Sequence, residues 1–313
     1  MDQHNISPAR PCPRVRFTPL IVLTVCAALL ARPTVGRAQT LYVSSGSQSI
    51  DTISPAGVVS LFATLPANSF PNGLAFDSGG NLYVADINTN QISKVAPDGT
   101  VSLFASLPGA SNSGPIGLVI DSSNNVYTAQ INAGKILKIT PDGTVSTYTT
   151  GVSGPFGLAI DSSGNLYASS GGSQAISKIG PGGVVTTFAT LPGTSNPYGL
   201  TFDSSGNLYT VDNNTSQISK ITPGGTVSTF ATLPANSNAF GAVFDSSNRL
   251  YVADGSTNQI SQISADGLTV TTFATGIAGP QFVAFAPVPE PSVWVSMAGG
   301  LGMLAGFHRK RQP

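Results

Sequence analysis

The chain of 313 residues has few of the side chains that enzymes use most often for proton transfer and covalent catalysis. Its two histidines, two cysteines and single glutamate all lie near the ends, and the stretch 39–287 contains none of these residue types. This absence excludes a cysteine nucleophile, a histidine base, a Ser-His-Asp triad and any thiolate or imidazole metal site from that stretch. It also excludes disulfide bonds there, so packing and hydrogen bonds must hold the fold together.

Charged residues are scarce as well, at 9% of the chain, against about 25% in average globular proteins. The formal net charge is zero, but the stretch 39–287 has twelve aspartates against five lysines and one arginine. A nucleic-acid-binding protein needs a basic surface, and this stretch is acidic. The composition therefore argues against a nucleic-acid partner.

Residues 1–38 have the order of a secretory signal peptide. Arginines precede an apolar run at about 20–31, and small residues stand at positions −3 and −1 before Gln39. We expect signal peptidase to cleave between Ala38 and Gln39. The alternative is an uncut membrane anchor, although the apolar run is shorter than the roughly 20 residues that a span needs.

The last 26 residues contain three parts in order. The motif Val288, Pro289, Glu290, Pro291 comes first, residues 293–307 are mostly apolar, and basic residues follow. Fifteen helical residues reach only about 22 Å, so this segment is a marginal transmembrane helix. The positive charges would keep its end on the cytoplasmic side.

This order resembles the PEP-CTERM sorting signal of Gram-negative bacteria. The resemblance implies that an exosortase-type membrane protease recognises the proline motif and removes the tail. It also implies transient anchoring, then delivery to the cell surface, the outer membrane or the extracellular matrix. The alternative is a plain C-terminal anchor.

The stretch 39–287 consists of a repeated unit. The segment Gly-Leu-Ala-Phe-Asp at 73–77 recurs in similar form at 117–121, 157–161, 199–203 and 241–245. After each copy come a polar turn, an apolar-Tyr pair, an Ile-x-Lys-like segment and a Thr-Val-Ser-x-Phe-like segment. Gly, Asn, Asp and Pro separate these segments, which indicates four short strands per repeat. Four strands in a period of about 40–45 residues are typical of a β-propeller.

The ends of the repeat region predict how the ring closes. Residues 41–45 match the second strand of a repeat, whereas residues 279–285 match a first strand with nothing after it. One strand from the end therefore completes the three at the start as a sixth blade, which removes exposed sheet edges. We predict an all-β, six-bladed propeller of four-stranded blades at 39–287, with helical signal and anchor segments at 1–38 and 288–313.

The run Gly-Leu-Ala-Phe-Asp-x-x-Gly-Asn-Leu-Tyr-Val-Ala-Asp at 73–86 resembles NHL repeats and the related streptogramin-lyase (virginiamycin B lyase-like) and gluconolactonase-like propellers. The resemblance extends over 41–287. It implies a histidine acid or base with a magnesium ion held partly by glutamate in the lyases, and calcium with a glutamate ligand in the gluconolactonase-like enzymes. The propeller here contains neither histidine nor glutamate, so no catalytic residue of these families can be assigned to it.

An aspartate recurs in the first turn of each complete repeat. An Asp-Ser-Ser-x-Asn turn offers oxygen ligands for calcium, but such an aspartate also accepts hydrogen bonds from its own tight turn. The sixth equivalent is Ala286, where the chain exits and needs no turn, and this favours the second interpretation. The five aspartates are Asp77, Asp121, Asp161, Asp203 and Asp245.

On the opposite face the loops differ between repeats, which is where a binding site on a repeated frame is expected. Amides and hydroxyls beside aromatic rings suit sugars, although solvated loops have the same composition. Three equivalent aspartates, Asp86, Asp212 and Asp254, could instead hold Ca²⁺ or Mg²⁺ at the channel or cap surface loops. The second-to-third-strand loops contribute the candidates Asp86, Asn88, Gln130, Asp212, Asn213 and Asp254, and the incoming loops contribute Phe156, Tyr198 and Phe240.

These features lead us to expect an exported propeller at the cell surface or in the extracellular matrix that binds or scaffolds. Its expected neighbour is extracellular polysaccharide, as in a biofilm, or another surface protein. The alternative function is a metal-dependent lactonase or lyase with aspartate ligands. The absence of histidine, cysteine and glutamate favours the binding module over the enzyme.

Overall fold

The computed structural model describes residues 39–109 and 114–287. Within these residues the chain forms twenty-four β-strands in six four-stranded antiparallel sheets, which confirms the predicted propeller. Two short 3-10 helices, Ile131–Ala133 and Gly171–Ser173, lie in loops.

The two predicted terminal segments, 1–38 and 288–313, lie outside the described residues. Among the described residues, no helix is long and apolar enough to cross a membrane.

The strands follow the repeat closely. The first twelve are β1 (Leu41–Ser45), β2 (Ser49–Ile53), β3 (Val59–Thr64), β4 (Pro71–Phe76), β5 (Leu82–Asp86), β6 (Gln91–Val95), β7 (Val101–Ser106), β8 (Pro115–Ile120), β9 (Val126–Gln130), β10 (Lys135–Ile139), β11 (Val145–Thr150) and β12 (Pro155–Ile160). The others are β13 (Leu166–Ser170), β14 (Ala175–Ile179), β15 (Val185–Thr190), β16 (Pro197–Phe202), β17 (Leu208–Asp212), β18 (Gln217–Ile221), β19 (Val227–Thr232), β20 (Ala239–Phe244), β21 (Leu250–Asp254), β22 (Gln259–Ile263), β23 (Val270–Thr275) and β24 (Pro280–Phe285).

Each blade is an antiparallel meander whose first strand lies nearest the axis. Blade 1 contains β24, β1, β2 and β3, and blades 2 to 6 contain four consecutive strands each. The closing strand pairs Phe285 with Leu41 and Val283 with Val43. The C-terminal strand therefore completes the first blade, as the sequence predicts, and no inner edge is left unpaired.

Alternating strand direction sorts the connections onto two faces. We call the face with the first-to-second and third-to-fourth connections the turn face. The face with the second-to-third connections and the connections between blades is the loop face. Chain entry and exit both lie on the turn face, where the Gln39 side chain donates a hydrogen bond to the Ala286 carbonyl at 3.3 Å.

Neighbouring first strands approach so closely that a side chain does not fit between them. A Cβ atom on Gly73 would lie 2.2 Å from the carbonyl oxygen of Ile116, and one on Gly157 would lie 2.1 Å from that of Tyr198. Real Cβ atoms do not come within 3.0 Å of other heavy atoms. Glycine therefore occupies this position in five blades, as Gly73, Gly117, Gly157, Gly199 and Gly241.

A second ring of glycines lies in the third-to-fourth turns. Gly225 has a φ of +84°, and a Cβ atom there would lie 2.8 Å from the carbonyl oxygen of Phe188 in the preceding blade. These turns need both a left-handed conformation and a close approach, which only glycine provides without strain. The equivalent residues of blades 1 to 6 are Gly57, Gly99, Gly143, Gly183, Gly225 and Gly267.

The space between these two rings is filled by apolar side chains from both adjoining blades. Tyr209 shows the recurring arrangement, since its ring lies 4.9 Å from Phe230 of its own fourth strand and 4.8 Å from Phe244 of the next blade. Both contacts are edge-to-face, which is a favourable geometry for aromatic rings. Among the described residues, buried clusters of this kind lie at all six blade-to-blade contacts.

The recurring turn-face aspartates hold their own turns. Asp161 Oδ1 accepts the backbone N–H groups of Ser163 and Asn165, each at 2.9 Å. Asp161 Oδ2 accepts the Asn165 side-chain amide at 2.8 Å and the Tyr167 hydroxyl at 3.2 Å. Both carboxylate oxygens are thus occupied within one turn, which agrees with the tight-turn interpretation rather than with a calcium ring. Asp77, Asp121 and Asp203 make the same set of bonds.

We expect Gly157→Ala to lower the free energy of unfolding by about 3 kcal/mol, because the new methyl group forces blades 4 and 5 apart. Urea denaturation measures the change. Gly172→Ala is the matched control, because nothing lies within 4 Å of a Cβ atom there, and we expect a change within about 0.5 kcal/mol. Equal effects of the two substitutions would contradict the close-approach argument.

The turn aspartates predict a pH dependence of stability. Burial alone would raise the pKa of Asp161, but hydrogen bonds from Asn165 and its other turn partners lower the pKa below the ordinary 3.8. A carboxylate with a lowered pKa stabilises the fold above pH 3.8, and this contribution is lost as the pH falls through the folded-state pKa. Asp161→Asn should therefore cost about 1 kcal/mol near pH 6, and less as the pH falls below 3.8.

Urea denaturation between pH 6 and pH 2 measures this difference. Ser162→Ala, in the same turn, is the control and should follow the unsubstituted protein at every pH. A destabilisation by Asp161→Asn that stays constant over the whole pH range would show that charge at this position does not contribute.

Candidate binding site at the loop face

A β-bulge near the start of every first strand shapes the loop-face mouth of the central channel. In blade 4, Pro155 pairs with Ser170 but Leu158 pairs with Ala168, so two residues of the first strand oppose one of the second. A bulge of this kind redirects a side chain, here that of the second strand residue. These residues form a ring around the mouth: Gln281, Asn72, Ile116, Phe156, Tyr198 and Phe240 for blades 1 to 6.

The sequence-based placement of Phe156, Tyr198 and Phe240 in incoming loops was wrong, because all three lie within first strands. The bulge causes the difference, since it breaks the alternation from which a strand is recognised. Sequence reasoning also missed Gln281. Its position was available from the alignment of Pro280 with Pro155, which makes Gln281 the equivalent of Phe156.

Three of the ring residues form a continuous aromatic surface. The Phe156 and Tyr198 ring centroids are 4.2 Å apart with planes tilted by 31°, and Tyr198 meets Phe240 edge-on at 5.4 Å. All three side chains are half-buried. Burial raises the pKa of the Tyr198 hydroxyl, which therefore stays neutral at physiological pH.

Glycines in the second-to-third loops make room for two of these rings. A Cβ atom on Gly171 would lie 2.8 Å from the ring of Phe156, and one on Gly255 would lie 2.6 Å from the ring of Phe240. The aromatic rings thus lie directly on loop backbone. Packing of this kind holds the surface in one orientation, as a preformed binding site requires.

Four predicted ligand residues are more buried than expected for loop side chains. Asp86, Gln130, Asp212 and Asp254 are the last residues of second strands, and each is 2% exposed or less. A strand ending inside the sheet, rather than a solvated loop, explains their burial. They are not available on the surface as the sequence analysis expected.

Two of these aspartates hold together the loop-face connections of their own blade. Asp212 Oδ1 accepts the backbone N–H groups of Asn196 at 3.0 Å, Asn214 at 3.1 Å and Thr215 at 3.2 Å. In blade 2, Asp86 Oδ1 likewise accepts the N–H of Phe70 at 3.0 Å. These carboxylates therefore position loops instead of pointing into the channel.

The remaining predicted polar residues differ in their contacts. Gln130 donates its side-chain amide to the Pro108 carbonyl at 3.0 Å. Asn213 donates to the Asn238 side chain at 2.6 Å and to the Ala239 carbonyl at 3.2 Å, and so connects blades 5 and 6. Asn88 is exposed. Of the predicted residues, the structure brings together only the three aromatic ones.

The residues present do not fit the metal site that the family resemblance implies. The described residues contain no group of three or more His, Cys, Asp or Glu side chains able to hold a metal ion. Asp86, Asp212 and Asp254 belong to three different blades. The channel is a cavity of about 230 Å³ lined mainly by apolar side chains, among them Leu74, Leu158 and Phe282, and these offer no oxygen ligands to a hard cation.

Buried polar atoms without a partner are concentrated at the loop face. Seven buried side-chain polar atoms of the described residues accept or donate no hydrogen bond, and all seven belong to loop-face ends of blades or to loop-face loops. Leaving such an atom unpaired costs about 1–3 kcal/mol, and water or another molecule at the loop face can supply its partner. The atoms are Ser69 Oγ, Asn72 Nδ2, Thr89 Oγ1, Asn90 Oδ1, Ser170 Oγ, Thr215 Oγ1 and Asp254 Oδ1.

Comparison with solved structures shows the same fold in proteins of different function. A streptogramin B lyase structure superposes with a TM-score of 0.64 at 20% identity, covering 81% of this chain and 92% of that chain. The Staphylococcus aureus virginiamycin B lyase gives 0.63 at 21%, covering 81% and 89%. A chain from a nidogen/laminin complex gives 0.70 at 21%, covering 80% and 98%.

Identities of this size show a shared fold and carry no activity over to this chain. No curated protein matches the sequence. Residues 34–304, however, match a protein family over the whole propeller. The chain belongs to the Virginiamycin B lyase family.

Proposed function

We propose that this protein is an exported propeller that binds an extracellular saccharide at the loop-face mouth of its channel. The observation that carries the proposal is the aromatic surface of Phe156, Tyr198 and Phe240 at the mouth of the channel. A concave site with ring faces and a few directed polar groups is typical of small-molecule recognition.

The two kinds of group at the mouth match the two sides of a sugar. The C–H face of a pyranose ring is apolar and packs on aromatic rings, as other apolar groups do. Sugar hydroxyls both donate and accept, so they can pair with the half-buried Gln281 side chain on the opposite part of the ring of mouth residues.

The proposal includes export and sorting. Signal peptidase would remove residues 1–38, and an exosortase-type protease would recognise Val288–Pro291 before the apolar segment 293–307. Since Gln39 and Ala286 lie side by side on the turn face, a tether at Pro287 would leave the loop face pointing away from its attachment. This orientation suits a protein that binds matrix polysaccharide or a surface partner at its loop face.

The binding proposal predicts that one aromatic ring at the mouth is required. Tyr198→Ala should weaken binding of a saccharide about tenfold, because an aromatic contact contributes about 0.5–1.5 kcal/mol beyond its buried area. Tyr198→Phe is the matched control, keeps the ring and should bind within about twofold of the unsubstituted protein. Calorimetry against gluco-, galacto- and manno-hexaoses measures both.

Urea denaturation of both variants shows whether any loss reflects unfolding. A protein that binds none of these hexaoses and none of the polysaccharide of its own host would contradict the proposal. Equal affinity of Tyr198→Ala and the unsubstituted protein would contradict the site.

A metal-dependent lactonase or lyase is the second candidate, because the chain belongs to a lyase family. Its metal would need aspartate ligands, since the stretch 39–287 has no histidine or glutamate. Native mass spectrometry of protein recovered from outside its host cell tests this candidate together with sorting. We expect a chain from Gln39 to residues 289–291 without a divalent ion.

The mass of the chain tests sorting and the bound metal tests the enzyme, and the two results are independent of each other. A stoichiometric Ca²⁺ or Mg²⁺ would support the enzyme, and added metal should then raise the unfolding temperature. An uncut tail would contradict the sorting proposal while leaving the binding site unaffected.

A further inference from the structure

The contact between blades 6 and 1 departs from the repeat at two linked positions. In blades 2 to 5 the first turn contains an asparagine and the third strand a lysine, whereas blade 6 has Arg249 and Gln262 there. The four lysines place Nζ at 5.4–5.8 Å from the centroid of the tyrosine ring in the same blade. In blade 6 the Arg249 guanidinium takes this place, 6.0 Å from the Tyr251 ring.

The two changes compensate each other in the fold. Arg249 donates through Nε and one Nη to Asp245 Oδ2, each at 2.7 Å, where the other blades use an asparagine amide. Gln262 donates to the Tyr251 hydroxyl at 2.5 Å. Tyr251 therefore keeps both a cation over its ring and a polar partner.

The exchange moves the positive charge from a strand to the turn face. The Arg249 side chain is 50% exposed. Asp245 takes one edge of the guanidinium, and the described residues provide no acceptor for its remaining N–H groups. Arg249 is the only arginine in the stretch 39–287, and its pairing with Asp245 is the only ion pair within the described residues.

A cavity of about 400 Å³ lies beside this arginine. It lies next to the point where blade 1 has no first-to-second turn, since its second strand follows Gln39 and its first strand ends before Ala286. The apolar part of its wall comes from Pro55, Ala56, Phe273 and Phe285. The polar groups of its wall belong to Arg249 and its partner Asp245, and to Gln39, Ser246, Ser247, Tyr251, Gln262 and Thr272.

We propose that this cavity binds a carboxylate-bearing saccharide, such as one uronic acid unit of an acidic polysaccharide. Asp245 takes the Nε and Nη2 edge of the planar guanidinium, and the remaining edge presents two N–H donors in the fork that a carboxylate matches. The glutamine amides and the Thr272 hydroxyl supply partners for ring hydroxyls, and the apolar wall receives the ring. The site lies on the turn face and is separate from the loop-face mouth.

The repeat itself provides the variant that tests this site. Arg249→Asn with Gln262→Lys converts blade 6 to the residues of blades 2 to 5, which fold with that pair. We expect the double variant to unfold at the same urea concentration and to bind a galacturonate hexamer at least tenfold more weakly. Arg249→Lys, which keeps the charge but loses the fork, should bind with intermediate affinity.

Calorimetry with the full protein measures binding of the galacturonate hexamer and of a neutral glucose hexamer. We expect only the acidic hexamer to depend on Arg249, and its affinity to fall between 50 mM and 500 mM salt. The Tyr198→Ala variant should retain this binding, which separates the turn-face site from the proposed loop-face function. Unchanged affinity in the double variant, or no binding of the acidic hexamer to the unsubstituted protein, would overturn the proposal.

Discussion

Close approach of backbones between blades is the constraint on which the rest of this structure depends. On the inner ring, a Cβ atom at Gly117 would lie 2.3 Å from the Phe156 carbonyl oxygen. At the outer turns, a Cβ atom at Gly267 would lie 2.4 Å from the Phe230 carbonyl oxygen. Glycine lies at the inner end of five of the six contacts and at the outer end of all six. Tyrosine and phenylalanine rings fill the space between the two ends with edge-to-face packing. Packing of this quality explains how a chain with few charges and no disulfide in its propeller holds a closed ring.

The same constraint determines where the chain is free to vary. Residues between blades repeat because each must fit a nearly identical space, and the turn-face aspartates repeat because each holds an identical turn. Variation is left for the loop-face mouth, where Phe156, Tyr198 and Phe240 replace the Asn72 and Ile116 of other blades, and for the contact between blades 6 and 1. Both proposed sites therefore lie where the frame tolerates change, as in other repeat proteins.

The chain belongs to a lyase family, whereas its stretch 39–287 contains no histidine or glutamate, the residue types that the family resemblance implies for catalysis. Its channel is lined mainly by apolar residues, and two of its three candidate carboxylates, Asp86 and Asp212, accept hydrogen bonds from loop backbone. Such a change is consistent with the rule that function depends on sites placed on a fold rather than on the fold itself.

The sequence by itself determined the six blades, their four strands and the closure by the last strand, because a repeat shows its own boundaries and an incomplete repeat shows its missing part. It also indicated that Asp161 and its equivalents belong to turns. The burial of Asp86, Asp212 and Asp254 and the bulge that turns Tyr198 to the channel were decided only in three dimensions. So was the cavity beside Arg249. Each of these features depends on contacts between segments far apart in the chain. Hydrophobic periodicity and turn residues, in contrast, depend only on residues that are close in sequence.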